Sequence, residues 1–201
     1  MKMIIRLILA SSALLLSVSG VCAGAPKSID YFEKITKEKP VVAGEQYYMR
    51  HCLFYEANGK PWRTTNYKTS ASILVPINSK VTLTSLGSKK MQIKIEKTGQ
   101  ILTIENIEKH TGKDMATIAQ AMLTRDEVPI GKFDEKIEKN IRNGILCLGM
   151  TKEQVIMTRG YPPMTGAPSL EVDTWVYNES IFVKHTLVFQ DGVLIQGRGV
   201  M

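Results

Sequence analysis

The sequence predicts an α+β protein, and three observations carry that prediction. Between Gln46 and Ile107 short apolar segments follow one another at strand length, separated by tight-turn residues. From Thr111 to Asn143 the apolar spacing changes to helical, with two candidate helices broken by Pro129-Ile130-Gly131. The last third reads as one short capped helix feeding a small antiparallel sheet. The expected organisation is a signal peptide (1–23), a tether (24–43), a small β-barrel (44–110), a helical connector (111–133) and a C-terminal unit of two helices and three strands (134–201).

Lys2 and Arg6 precede an apolar run from Leu7 to Val18, and Val21-Cys22-Ala23 supplies small residues for cleavage before Gly24. The run is shorter than the roughly 20 residues of a membrane span, so the expected product is a soluble exported protein. Cys22 offers the alternative of a lipid anchor, but Val21 stands where a small residue should precede a lipidated cysteine, and conventional cleavage is the default. The segment from Gly24 to Pro40 is charged, with one expected short helix around Ile29 to Thr36.

The barrel prediction rests on five strands. Tyr47 to Glu56 is rich in aromatic residues and ends at Asn58-Gly59, a two-residue hairpin signal that would set Tyr55 opposite Trp62. Ser72 to Val75 is closed by Pro76-Ile77-Asn78-Ser79, and Val81 to Leu86 leads through Gly87-Ser88 to Met91–Glu96, which alternates apolar and charged residues. Thr98-Gly99 then turns into Ile101 to Ile104. Next, Thr111 and Asp114 form a capping-box-like start, after which Met115, Ile118, Ala119, Met122 and Leu123 share one helical face. The second helix spans about Phe133 to Asn143, with Phe133, Ile137 and Ile141 on one side and Gly144 as its stop.

In the C-terminal unit Thr151 is the expected N-cap and Gln154 completes a capping box, with Met150 and Val155 as the hydrophobic staple. Gly160 is the expected left-handed stop, and Pro162-Pro163 prevents continuation. A helix of about eight residues does not hold alone in water, so it must lie on a sheet. Thr174 to Tyr177 is one strand of that sheet. Asp191-Gly192 closes a hairpin expected to pair Phe189 with Leu194 and Val188 with Ile195. Leu187, Phe189 and Leu194 then share one face, while Val188, Val193 and Ile195 share the other. A sheet covered on one side should show a polar second face. This one does not, so the second face either packs on the barrel or docks a partner. Trp175, Tyr177, Val188, Ile195 and the loop from Thr165 to Glu171 are the expected contact residues.

Charge and chemistry narrow the function. The chain carries +7, two of these charges lying in the signal. Residues 44–110 hold ten Lys or Arg against five acids, whereas 111–201 are nearly balanced. The excess on Lys60, Arg63, Lys68, Lys80, Lys89, Lys90, Lys94 and Lys97 would suit an anionic cell-wall polymer or lipid surface, or simply keep the barrel soluble. Nucleic acid is not an expected partner of an exported chain. No metal, phosphate-loop or dinucleotide motif is present. Of His51, His110 and His185, the first adjoins Cys52 but points to the opposite strand face, and His185 reads as an exposed strand residue. Cys147 lies in the apolar turn Ile145–Leu148. Cys52 and Cys147 read as buried small hydrophobes, with one disulfide between them as the alternative. The expectation is a non-catalytic protein without cofactor or metal.

Two resemblances sharpen this reading. The opening aromatic strand and Val75-Pro76-Ile77-Asn78-Ser79-Lys80-Val81 resemble the bacterial Src-homology-3-like barrels of exported proteins, which implies adhesion to cell wall or protein. Gly149-Met150-Thr151-x-Glu153-Gln154-Val155, Gly160-Tyr161-Pro162, Asp173-Thr174-Trp175-x-Tyr177 and the final Asp-Gly hairpin resemble the SmpA/OmlA (BamE-like) domain. That resemblance implies two helices on a three-stranded antiparallel sheet in a periplasmic or outer-membrane-associated protein of a Gram-negative bacterium. The partners it implies are envelope proteins, among them outer-membrane assembly components. The architecture is also similar to β-lactamase-inhibitor domains, which act by binding. The expected role is a non-catalytic binding or scaffold protein of the envelope, linked to outer-membrane protein assembly or envelope integrity; the alternatives are a peptidoglycan-binding accessory protein acting through the basic barrel and, less favoured, a Cys/His cell-wall hydrolase.

Overall fold

The computed structural model describes residues 35, 37–67, 72–180 and 182–201. The signal peptide with Cys22, Lys68, and the expected helix around Ile29 to Thr36 apart from Ile35, lie outside the described residues. The described residues form an α+β structure, with four helices from Glu108 onward and several sheets.

Strands β1 (Gln46–Met49), β2 (Leu53–Tyr55), β3 (Trp62–Arg63), β4 (Ile73–Val75), β5 (Lys80–Leu86), β6 (Lys90–Ile95) and β7 (Ile101–Glu105) occupy the first half. A six-stranded sheet, ordered β3-β7-β6-β5-β1-β8 with β8 at Leu123–Thr124, curls into a half-barrel. Period-two alternation drives its inner face: Val81 and Leu83 on β5, Met91, Ile93 and Ile95 on β6, and Leu102 and Ile104 on β7 are all buried. Neighbours across strands keep this face continuous, with Val81 opposite Ile95 and Ile93 opposite Leu102. A bulge in β5 between Leu83 and Ser85 lets the sheet bend.

The expected long aromatic strand is broken. Arg50, His51 and Cys52 interrupt it, and β2 leaves β1 to pair with β4 in a separate two-stranded sheet. Asn58-Gly59 is therefore not a two-residue hairpin: Tyr55 lies opposite Ile73, and Trp62 pairs in parallel with Ile104 on β7. Asn58 instead folds a local turn, its side-chain oxygen accepting from Lys60 N at 2.9 Å.

Helix α1 (Glu108–Thr111) ends at Gly112 in the left-handed conformation, and α2 (Met115–Met122) covers the inner face of the half-barrel. Its N-cap is Asp114, bonded to Thr117 N at 2.8 Å, and not Thr111. A carboxylate can accept that N–H in the cap position while Thr111 finishes the preceding turn. The predicted apolar face of α2 is buried throughout. The described end of the expected tether belongs to the folded body. Ile35 and Val41 are buried, Glu38 pairs with Arg50, and Arg125 donates to the carbonyls of Lys39 and Pro40.

After a 3₁₀ turn (Ile130–Lys132), helices α3 (Glu135–Arg142) and α4 (Lys152–Arg159) pack against one another and on the sheet β11-β10-β9. That sheet consists of β9 (Thr174–Asn178), β10 (Lys184–Gln190) and β11 (Val193–Gly197). Thr151 and Gln154 form the predicted reciprocal capping box, with Met150 and Val155 fully buried beside it. Gly160 has positive φ (83°), but its ψ of −178° puts it outside the left-handed helical region, in backbone space essentially restricted to glycine. In the hairpin Phe189 does face Leu194, but a bulge after Val188 shifts the register so that Val188 faces Gln196, not Ile195.

Two hydrophobic cores result, and they do not divide at residue 133. Cys52, Tyr67 and Ile77, from the first half, are buried in the second core with Trp175 and Leu187. The β2–β4 pair lies between the cores: Leu53, Tyr55 and Val75 enter the first, while Leu74 packs against the second.

Candidate functional site

Between the half-barrel and the C-terminal unit lies a cavity of about 450 Å³. One wall is Trp62, Thr64 and the α1–α2 segment from Thr111 to Met122; the other runs from Arg159 through Tyr161 and Met164 to Glu171. His51 and Tyr67 close its base. Hydrogen bonds fix the two walls relative to one another: Met164 N donates to His110 O at 2.8 Å, Tyr67 OH donates to Tyr161 O, and Cys52 N donates to Met157 O at 2.9 Å. The expected contact loop Thr165–Glu171 thus forms part of a cavity wall, with Ala167 buried and Leu170 packed on the second core.

His51 sits in the break between β1 and β2, a position that the uninterrupted strand expected from sequence does not provide. Its ring packs edge-on to Tyr161, centroids 6.4 Å apart. Its Nδ1 is 2.8 Å from Cys52 O. A carbonyl only accepts, so Nδ1 carries the proton and Nε2 is left as an acceptor. Burial, reinforced by the nearby Arg50 charge, lowers the His51 pKa. The unfolded chain therefore binds a proton at His51 at a higher pH than the folded chain. The stability this contributes is complete above about pH 6.5, the ordinary histidine value, and is lost as pH falls towards the lowered folded value. Unfolding free energies from urea titrations between pH 7.5 and 5 should fall by at most about 1.4 kcal/mol per pH unit from this group, and His51→Gln should flatten that part of the profile.

Cys52 and Cys147 are separate buried thiols, not a disulfide. Cys52 Sγ donates to Ile141 O at 3.1 Å and accepts from Ile77 N at 3.4 Å. Burial pushes its pKa up to about 11, so it is a neutral packing group at neutral pH. His51 bonds the carbonyl of Cys52 and not its sulfur, whose partners are Ile141 O and Ile77 N. His185, expected as an exposed strand residue, is half-buried and bridges Glu179 (Nε2 to carboxylate, 2.6 Å) and Arg198 O (3.1 Å). Among the described residues no group of three or more His, Cys, Asp or Glu is placed to hold a metal ion, and no helix is long and apolar enough to cross a membrane.

The predicted contact residues separate. Trp175 and Tyr177 are 0 % and 2 % exposed and belong to the second core, because β9 turns their side of the strand towards α4 and Phe189. They are packing residues in this chain, not surface. Val188 is half-buried and Ile195 is 48 % exposed on the opposite face, and neither belongs to a core. The basic strands carry local counter-charges: Glu105 pairs with both Arg63 (3.1 Å) and Lys90 (3.3 Å), and Glu96 with Lys94 (3.8 Å). These pairs hold the Glu105 carboxylate below its usual pKa.

Arg159 is the functional candidate that sequence reading passes over. At the last turn of α4 it reads as an ordinary cation at a helix C-terminus. In the structure it is part-buried at the cavity wall, stacked over Phe54 at 5.6 Å. The chain matches no family model, no curated protein and no solved structure.

Proposed function

We propose that the protein is a non-catalytic binding component of the Gram-negative cell envelope, exported to the periplasm and engaging a partner protein through its C-terminal sheet. Residues 134–201 act in this reading as a SmpA/OmlA (BamE-like) unit: α3 and α4 cover one face of β9–β11 and leave the other for an envelope partner such as an outer-membrane assembly component. The observation that carries the proposal is that uncovered face. Val176 and Val188 are half-buried and Ile195 is exposed, and none of the three belongs to either hydrophobic core of the described residues. Apolar positions clustered there supply the contact area a partner needs.

The double change Val188→Lys with Ile195→Lys tests it. The expected result is an unfolding midpoint within about 1 kcal/mol of the parent, since neither side chain is in a core, together with loss of the crosslinked partner in cells. Unchanged crosslinking by a folded double variant would overturn the sheet-face reading. Retention of the full mature chain on purified peptidoglycan, insensitive to the double change, would point instead to the basic half-barrel.

A further inference from the structure

The cavity between the two walls has features that the sheet-face reading does not use. A guanidinium stays charged at any ordinary pH, and drawing it out of water without an anion is unfavourable. Arg159 is part-buried at the cavity wall, and that partial burial lowers its pKa. Among the described residues it has the Phe54 ring but no carboxylate and no hydrogen-bond acceptor. Glu179, the carboxylate whose charge acts on it, is already bonded to His185 at 2.6 Å. The same cavity presents the acceptor Nε2 of His51, at a ring held within 3.4 Å of where a side chain on Gly160 would begin. Trp62, in the wall, has a buried indole N–H that meets no acceptor among the described residues. The remaining lining is mostly apolar, including Ile118, Met122 and Leu170.

A cation and an acceptor that meet no partner among the described residues, between largely apolar walls, specify a complementary molecule. It must bring a negative group, a hydrogen-bond donor and an apolar body into about 450 Å³, a volume within the ordinary range of small-molecule sites. We propose that this cavity binds a small amphipathic carboxylate carrying a hydroxyl or amide N–H, with its anionic group on Arg159, its donor on His51 Nε2 and its apolar body against Ile118, Met122 and Leu170. The anion offsets the part-buried charge, and the charge-assisted hydrogen bonds to the guanidinium give the preference for a carboxylate head over a neutral or cationic one. The site is independent of the outer sheet face, so either can stand without the other.

The test uses the full mature chain with the fluorescent anion 8-anilino-1-naphthalenesulfonate as reporter, displaced by 3-hydroxydecanoate, decanoate or decylamine. Expected are displacement by 3-hydroxydecanoate at a concentration about tenfold or more below that of decylamine, and a smaller advantage over decanoate. Arg159→Met keeps an apolar stem and removes the charge. It should weaken 3-hydroxydecanoate binding about tenfold and leave the unfolding temperature equal or higher, because the part-buried charge is gone. Equal displacement by the acid and the amine, or an Arg159→Met variant that binds the acid as tightly as the parent, would overturn the proposal. Equal displacement by 3-hydroxydecanoate and decanoate would remove His51 from it. If the variant does not fold, the three-probe comparison on the parent chain still decides.

Discussion

Replacing Trp175 by alanine should lower the unfolding free energy by about 3–5 kcal/mol, the range for truncating a buried large aromatic. Trp175 is wholly buried on β9, its ring tilted against Phe189 with centroids 4.7 Å apart, and Lys152 covers its outer side. Leu187 lies directly opposite it across the β9–β10 ladder. Nothing at this position can collapse into the space without moving the β9–β10 pair, so most of the cavity would remain. Urea unfolding followed by circular dichroism measures the loss, and Ile195→Ala on the outer face is the comparison, expected within about 0.5 kcal/mol of the parent. A Trp175→Ala protein as stable as the parent would show that this ring is not the centre of the second core.

Gly166→Ala should be nearly as damaging, on the order of 3 kcal/mol. A Cβ at this position would fall far inside the van der Waals contact distance of Val176 O, a backbone atom that cannot swing aside. The same contact includes the hydrogen bond from Val176 N to Gly166 O at 3.0 Å, which attaches the cavity loop to the free edge of β9. The substitution therefore breaks the attachment as well as the packing. Faster protease cleavage within residues 163–172, accompanied by a lower urea midpoint, is the expected readout. An alanine variant with unchanged midpoint and cleavage would mean that the loop is not held by this approach.

Much of the fold is legible from local signals. The capping box at Thr151 and Gln154, the Asp191-Gly192 turn and the alternation along β6 are each satisfied within a few residues, and each appears where the spacing puts it. What local signals do not encode is which long-range partner a strand takes. The aromatic segment from Tyr47 to Glu56 alternates well enough to be one strand, but β1 is claimed by β5 and β8 while β2 is claimed by β4. Asn58-Gly59 has the composition of a hairpin turn, yet Ile104 wins Trp62 because β7 offers a free edge. The candidate site was harder to read for the same reason. Trp175 is conspicuous as a residue, and conspicuous aromatics end in cores more readily than on surfaces. Arg159 has the opposite profile: its position at a helix end is unremarkable, and only the packing of α4 beside the cavity shows that it pairs with no carboxylate among the described residues.

The sharing of Cys52, Tyr67 and Ile77 with the C-terminal core has a consequence for how the chain matures. That core draws residues from positions 52 to 194, so during synthesis its first contributors emerge well before the strands that will cover them. Until β10 and β11 are available, Cys52, Tyr67 and Ile77 have no completed apolar environment, and the β2–β4 pair shows one unfinished side. Closure of the second core is a late, long-range event, of the kind whose loop-closure entropy must be met before the contacts reward it. The half-barrel can begin from the adjacent β5–β6–β7 meander. The second core cannot close until β10 and β11 have been made, so Cys52, Tyr67 and Ile77 must wait more than a hundred residues for their packing partners.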